Sequence, residues 1–177
     1  MMSERVAEKL KICMVGASAV GKTSLVERFV TSIFREDYST TIGVKILTRR
    51  IRRGERTFNV VLWDLSGQDE FQSVRSEYLR GAAGYLVVID GTRRETVDTA
   101  ISLQQVAGEA TRGSPFLMVL NKADLVVSWD VDPRIVQTLE SRGWTLVRTS
   151  AKTGEGVERA FDLLVDAIAD QRGVAWI

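Results

Sequence analysis

The segment at 16–23 limits what this chain can fold into more than any other. Its letters GASAVGKT match the pattern G-x-x-x-x-G-K-S/T, which forms a phosphate-binding loop when it lies between a strand and a helix. The apolar run at 10–15 predicts a buried strand before it, and apolar residues at helical spacing over 24–30 predict a helix after it. This context favours a phosphate site over a glycine-rich turn with a solvated lysine.

The residues of this loop have the chemistry that a phosphate site requires. Gly16 and Gly21 allow a tight turn in which backbone N–H groups and the start of the next helix face an anion. Lys22 would contact the β- and γ-phosphates, and the hydroxyl of Thr23 would bind Mg²⁺. The loop residues that we expect at the nucleotide are Gly16, Ser18, Ala19, Val20, Gly21, Lys22, Thr23 and Ser24.

A second motif, WDLSGQ at 63–68, ends the apolar run at 58–63. It places Asp64 at the carboxyl end of a predicted strand, where ligands bind in open α/β sheets. A carboxylate there suits a water-mediated contact to Mg²⁺, and the alternative is a cap within a turn. Gly67 can offer its N–H to the terminal phosphate, and Gln68 can orient the attacking water.

Two further motifs predict that the base is guanine. The NKAD motif at 121–124 follows the apolar run at 116–120, and Asp124 can accept hydrogen bonds from N1–H and N2–H₂ of guanine. Adenine has an acceptor at N1, so it would leave this carboxylate unpaired at a cost of ~1–3 kcal/mol or more.

The other motif of the pair is SAK at 150–152, which follows a predicted strand at 144–147 and offers backbone N–H groups to guanine O6. Either motif alone is also typical of a polar turn, but both follow predicted strands. The aliphatic part of Lys122 can lie along the base. The residues that we expect at the base are Asn121, Lys122, Asp124, Ser150, Ala151 and Lys152.

With these four motifs in this order, the chain resembles the small GTPases of the Ras superfamily, with a pattern closest to the Rab and Rho branches. The resemblance extends from about 11 to 168 and implies that 34–43 is the first switch segment. It implies that Thr41 senses the γ-phosphate through Mg²⁺, that Phe34 packs edge-on against guanine, and that Tyr38 closes over the phosphates.

The resemblance also implies a set of roles and partners. Catalysis would rest on Gln68, Lys22 and Thr41, and Mg²⁺ would be held by Thr23, Thr41 and Asp64. The implied cofactors are GTP or GDP with Mg²⁺, and the implied partners are effectors, exchange factors and GTPase-activating proteins. No arginine finger is evident in the switches, although Arg35 and Arg75 are nearby candidates.

One departure from the family pattern concerns hydrolysis. Leu65 and Ser66 stand where the family commonly has threonine and alanine, and Ser66 puts a hydroxyl beside Gly67. The alternative function is therefore a GTP-binding scaffold with little or no hydrolysis.

Length and composition favour one globular domain over 1–177. Strand patterns that alternate with helical ones predict an α/β fold with a six-stranded, mostly parallel sheet and helices on both faces. The resemblance implies that this is a P-loop GTPase domain. A hairpin is predicted over 44–62, with a turn near 53–55. Helices are predicted around 96–109, around 133–140 and over 157–168. With 177 residues and 45% hydrophobic residues, the chain is long enough for a proper core.

Charge and composition argue against several other classes of function. The net charge of +1 gives no overall field that would attract nucleic acid, so no nucleic-acid partner is expected. A third function, an assembly GTPase that acts on ribosomal RNA, ranks low because the sequence shows neither an appended RNA-binding domain nor a basic stripe beyond the predicted hairpin. The chain contains no histidine, which excludes histidine bases. Cys13 lies in the first predicted strand, where a small core residue is expected rather than a nucleophile.

The sequence shows no recognisable signal for secretion, membrane insertion or lipidation. No apolar stretch approaches the ~18 residues of a membrane helix, and the charged start is not a secretory signal, so we expect a cytoplasmic protein. The sequence begins Met1-Met2-Ser3 and ends Trp176-Ile177, which gives neither a glycine for myristoylation nor a cysteine for prenylation. No direct lipid anchor is expected.

The predicted hairpin is rich in arginine, at positions 49, 50, 52, 53 and 56. One interpretation is that these charges protect an exposed sheet edge from pairing with other chains. The other is a docking patch for acidic lipid or an acidic partner.

Overall fold

A computed structural model describes residues 7–36, 41–65, 67 and 76–174. The strands are β1 Glu8–Gly16, β2 Val44–Arg53, β3 Arg56–Leu65, β4 Gly84–Asp90, β5 Phe116–Asn121 and β6 Leu146–Arg148. The helices are α1 Lys22–Thr31, α2 Ser76–Leu79, α3 Glu95–Ala110, α4 Pro133–Ser141 and α5 Val157–Gln171, with a 3₁₀ turn at Val126–Ser128.

These strands form one six-stranded sheet in the order β2-β3-β1-β4-β5-β6. The pairs β1–β3, β1–β4, β4–β5 and β5–β6 are parallel, whereas β2 runs antiparallel to β3. Helices cover both faces, so the predicted fold class is confirmed. β4 lies at the centre and all seven of its residues are buried, as expected of a parallel strand between two helical layers.

One predicted strand is wrong in its position. The run at 144–147 predicted the last strand, but β6 is Leu146–Arg148, with Leu146 opposite Met118. The Thr145 carbonyl just before it accepts a hydrogen bond from the Met118 N–H at 2.9 Å. Trp144 precedes the strand and packs edge-on against Phe116, with ring centroids 5.5 Å apart. The apolar character of this position therefore reflects ring packing rather than strand pairing.

Each face of the sheet has its own apolar core. On one face α1 and α5 pack together, and the rings of Phe29 and Phe161 stack with centroids 3.9 Å apart. On the other face α3 packs on β4 around Tyr85, and Cys13 is fully buried there, as predicted. No helix in the described ranges combines the length and apolar character needed to cross a bilayer.

The hairpin formed by β2 and β3 is tied to α5 by two of its arginines. Arg49 pairs with Glu158 at 2.6 Å, and Arg53 pairs with Asp162. Both acidic partners lie on α5, so these two charges hold the edge strand against the helical layer. Docking of acidic lipid or an acidic partner by the hairpin stays a prediction.

Candidate functional site

The predicted site residues meet at the carboxyl edge of the parallel strands. β1 ends at Gly16, β3 ends one residue after Asp64, and β5 ends at Asn121. Ser150 follows β6 by two residues. Since parallel strands end at the same edge of the sheet, four motifs that are distant in sequence become neighbours in space.

Lys22 is folded back onto the loop that precedes it. Its Nζ atom donates hydrogen bonds to the carbonyl oxygens of Gly16 and Ala17, both at 2.9 Å. Burial lowers the pKa of Lys22 to about 8, although the charge of Asp64 opposes this shift. A phosphate group beside the ammonium would favour its charged form, so the loop suits an anionic ligand.

Two threonines from different segments meet one aspartate beside this loop. The hydroxyl of Thr23 donates to Asp64 Oδ2 at 2.5 Å, and the hydroxyls of Thr23 and Thr41 share a hydrogen bond of 2.6 Å. Thr41 Oγ1 lies 3.5 Å from the same Oδ2 atom. The structure therefore brings together the three residues that were predicted to hold Mg²⁺.

The chemistry of this group fits a hard divalent cation. Asp64 is fully buried, and its Oδ1 atom has no hydrogen-bond partner within the part of the chain that the structure describes. Burial raises the pKa of Asp64, and the hydrogen bond from Thr23 and the charge of Lys22 oppose the shift. A cation would favour the carboxylate, and oxygen atoms of this kind are the ligands that Mg²⁺ prefers.

A cavity of about 420 Å³ opens next to the loop. This volume lies within the range of small-molecule sites. Its walls come from the phosphate loop, the segment after α1, and the loops after β5 and β6. The lining residues are Ala19, Gly21, Ser24, Phe34, Arg35, Glu36, Asn121, Lys122, Asp124, Leu125, Ala151 and Lys152.

Asn121 joins two walls of this cavity. Its Nδ2 atom donates to the carbonyl of Val20 at 3.0 Å, and its Oδ1 atom accepts from Thr149 Oγ1 at 3.1 Å and from the Ala151 N–H at 3.3 Å. The approach is close because Gly21 has no side chain: a Cβ there would lie 2.3 Å from Nδ2, and φ is +100°. Asn121 thus holds the phosphate loop against the loop after β6.

Asp124 and Lys122 are each held by a neighbour. Asp124 Oδ1 accepts from Ser150 Oγ at 2.6 Å, which orients the carboxylate in the cavity wall. Lys122 Nζ donates to Asp90 Oδ2 at 2.6 Å. Both side chains are therefore positioned before a base arrives.

Gly67 lies against the phosphate loop. A Cβ at this position would be 2.3 Å from the Cα of Ser18, so only glycine fits. Two of the predicted site residues, Tyr38 and Gln68, lie outside the described residues, as do Ser66 and Arg75.

Three residues of the site were missed in the sequence. Asp90 is fully buried and accepts from Thr92, Arg93 and Lys122. These hydrogen bonds overcome the effect of burial and hold the pKa of Asp90 below its usual value. Asp90 is the last residue of an apolar strand, and Asp64 is the last but one of another. A search for carboxylates at the carboxyl ends of predicted strands would therefore have found Asp90.

The other two are arginines that contact backbone carbonyls of the site loops. Arg28 on α1 donates to the carbonyl of Ala151 at 2.7 Å, and Arg93 donates to the carbonyl of Ser18 at 2.6 Å. No sequence pattern marks these two, because any residue provides a backbone carbonyl.

Comparison with known proteins agrees with the arrangement of these motifs. The family model described as the Ras family matches residues 11–170. The "Ras-related protein RABA6b" of Arabidopsis thaliana is 38% identical over 160 residues, which cover 89% of this chain and 70% of that protein. The "Ras-related protein Rab-1" of Theileria annulata is 34% identical over 169 residues, which cover 91% and 74% of the two chains.

Proposed function

Because this chain belongs to the Ras family of small GTPases, we propose that it is a molecular switch that binds GTP and GDP with Mg²⁺ and slowly hydrolyses GTP to GDP and phosphate. The observation that carries this proposal is the meeting of Thr23, Thr41 and Asp64 at one point beside Lys22, where Asp64 Oδ1 has no hydrogen-bond partner among the described residues. Family membership supports the same activity.

The base would occupy the cavity between the phosphate loop and Lys152. Asp124, already oriented by Ser150, would accept the N1–H and N2–H₂ hydrogen bonds of guanine. Phe34 lines the same cavity and offers a ring to the base. The phosphates would extend from there toward Lys22, where the loop N–H groups and the ammonium supply positive charge.

Hydrolysis of GTP needs positioning and charge stabilisation more than covalent chemistry. Bound Mg²⁺ would neutralise charge on the phosphate oxygens. Lys22 would stabilise the charge that develops on the phosphates, and Gln68 is expected to orient the attacking water. Arg35, one candidate finger, lines the base cavity together with Glu36. An arginine supplied by a partner raises rates by roughly 10³–10⁵, as for Ras, so we expect slow turnover without one.

Regulatory partners are part of the same proposal. Ile42, directly after Thr41, and Ile46, near the start of β2, are both exposed. Thr41 is the residue expected to sense the γ-phosphate. Exposed apolar side chains next to such a sensor suit an effector that distinguishes the GTP state. A cytoplasmic location stays a prediction of the sequence.

The departure at 65–66 bears on the alternative of a scaffold that hardly hydrolyses GTP. Leu65 is buried in the core with Val15 and Leu79, so this substitution contributes packing rather than a new group at the phosphates. Ser66 lies outside the described residues. The switch and the scaffold both bind GTP, and they differ in the rate of GTP hydrolysis, which can be measured.

The test begins with the nucleotide that copurifies with the protein, which we expect to be GDP or GTP. Phosphate release is then followed with excess GTP, with and without Mg²⁺. Gln68→Leu should lower the rate while nucleotide affinity stays nearly unchanged, and Lys22→Ala should impair binding itself. A copurifying adenine nucleotide would contradict the assignment of the base, and binding without multiple turnover would favour the scaffold.

A further inference from the structure

Arg93 joins a buried carboxylate to the phosphate loop. It lies in the turn between β4 and α3, where its Nε atom donates to Asp90 Oδ2 at 2.9 Å. One of its terminal nitrogen atoms donates to the carbonyl of Ser18 at 2.6 Å. One guanidinium group therefore spans from the end of β4 to the middle of the loop that follows β1.

Its anchor is rigid. Asp90 is fully buried, and its Oδ1 atom accepts from the N–H and the hydroxyl of Thr92 at 2.9 and 2.7 Å. Its Oδ2 atom accepts from Arg93 and from Lys122. The carboxylate is thereby fixed on both oxygen atoms, and Arg93 has a fixed point from which to act.

The phosphate loop, which Arg93 contacts at Ser18, has a strained backbone. Ala19, next to Ser18, has a φ of +59°, which side chains other than glycine rarely adopt and which carries a conformational cost. Gly67 packs against Ser18 so closely that a Cβ at position 67 would not fit. A hydrogen bond from a charged donor to the carbonyl of Ser18 stabilises this strained shape.

From this geometry we propose that Arg93 is a positioning residue, which holds the phosphate loop in the shape that binds the β-phosphate by joining the carbonyl of Ser18 to Asp90. The inference rests on the proposed function, since it concerns how the same loop binds GDP and GTP. Arg93 acts through the loop and not by contact with the base.

Arginine suits this role better than lysine. A guanidinium group can donate to two acceptors in fixed directions, whereas an ammonium group on a flexible chain is a single point charge. Arg93→Lys would keep an attraction to Asp90 and lose the fixed second contact. Arg93→Gln would lose the charge as well.

A purely structural role predicts a different outcome from the proposed one. If Arg93 only stabilised the start of α3, its loss would lower the melting temperature and leave the choice among nucleotides unchanged. If Arg93 supported the base pocket through Lys122, every guanine nucleotide would bind more weakly by the same factor. Of these three roles, only an effect at the phosphate loop depends on the presence of a β-phosphate. Arg93→Lys keeps the charge, so weaker GDP binding in that variant reports the lost hydrogen bond rather than the lost charge.

The experiment compares GDP with GMP, which lacks the β-phosphate. Dissociation constants are measured in Mg²⁺ by displacement of a fluorescent guanine nucleotide, for the unmutated protein and for Arg93→Gln and Arg93→Lys. Arg94→Gln is the matched control, because it removes the same charge from the adjacent, exposed position at the start of α3. Melting temperatures are recorded in parallel.

We expect Arg93→Gln to weaken GDP about tenfold, the loss of one charge-assisted hydrogen bond, while GMP binding stays unchanged. Arg93→Lys should weaken GDP to a smaller extent, and Arg94→Gln should leave both nucleotides unaffected. Equal weakening of GDP and GMP, or no change in either, would overturn the role of Arg93 and leave the proposed function intact. An unmutated protein that binds neither nucleotide would instead refute the proposed function.

Discussion

At the scale of single residues, the site contains two ionisable groups whose burial disfavours their charged forms. Lys22 and Asp64 are both buried, and burial works against the charged form of each. A ligand that carries phosphate and a divalent cation supplies the missing opposite charges. The residues of this site are therefore adapted to the complex rather than to the free protein.

Asp124 is the residue on which base choice is expected to depend. Asp124→Asn removes an acceptor and introduces a donor, so GTP binding should weaken by about 10–100-fold. Preference should shift toward xanthine nucleotide, whose edge complements an amide. Competition titrations with GTP, XTP and ATP measure this. Equal binding of ATP and GTP by the unmutated protein would contradict the expected role of Asp124.

Cys13 is expected to be unreactive in the folded protein. It is fully buried, and burial raises the pKa of its thiol to about 12, so very little thiolate exists at pH 8. A thiol reagent such as DTNB should label the native protein extremely slowly and the urea-unfolded protein at once. Fast labelling of the native protein would show that β1 opens readily.

At the scale of elements, the contact between α1 and α5 is a principal source of stability on one face of the sheet. Phe161→Ala removes a buried ring that stacks on Phe29, and we expect it to lower the free energy of unfolding by about 3–5 kcal/mol. Urea unfolding at saturating GDP measures the change.

Leu163→Ala is the control for this substitution, since Leu163 lies on the same helix and is only partly buried. It should cost clearly less than Phe161→Ala. Similar losses for the two variants would mean that the ring stack contributes no more than a partly buried leucine, because alanine has a higher helix propensity than either residue.

Most elements could be predicted because their apolar residues repeat at strand or helix spacing. β4 and α5 are examples, with continuous burial in one and a single apolar stripe in the other. The four-residue helix at Ser76–Leu79 could not be predicted in this way, since it is too short to show a period. The start of β6 was misplaced because Trp144 is apolar for a reason unrelated to pairing.

The residues of the candidate site could be predicted where a polar side chain stands at the end of an apolar run. Asp64, Asn121 and Asp124 stand at or just after apolar runs, and the structure brings them to one edge. Arg28 and Arg93 were not predictable, because their partners are backbone carbonyls that lie 123 and 75 residues away in sequence. Contacts of this kind depend on how helices pack on the sheet, which the motifs do not specify.

At the scale of the whole molecule, the site is formed by loops from nearly every strand of the sheet. Ligand binding should therefore stabilise the entire domain. GDP at about 100 times its dissociation constant adds ~2.7 kcal/mol to the free energy of unfolding by mass action. Thermal unfolding with increasing GDP should show a rising melting temperature, whereas ADP should have no effect.

Removal of the metal ion tests the group formed by Thr23, Thr41 and Asp64. EDTA should reduce the stabilisation by GDP, because the buried carboxylate loses the cation that favours its charged form. If EDTA leaves the GDP-dependent shift in melting temperature unchanged, Mg²⁺ does not contribute at these residues.

The contact between Gly21 and Asn121 has a genetic consequence. Any side chain at 21 meets the carboxamide at 2.3 Å and must adopt a φ of +100°, so a shorter residue at 121 would relieve only the first of these two defects. It would also remove the hydrogen bonds to Val20 and Ala151 that join the two loops. A suppressor screen that starts from Gly21→Ala should thus return true revertants at codon 21 and no compensating changes at codon 121. A change at one of these positions therefore does not permit a change at the other.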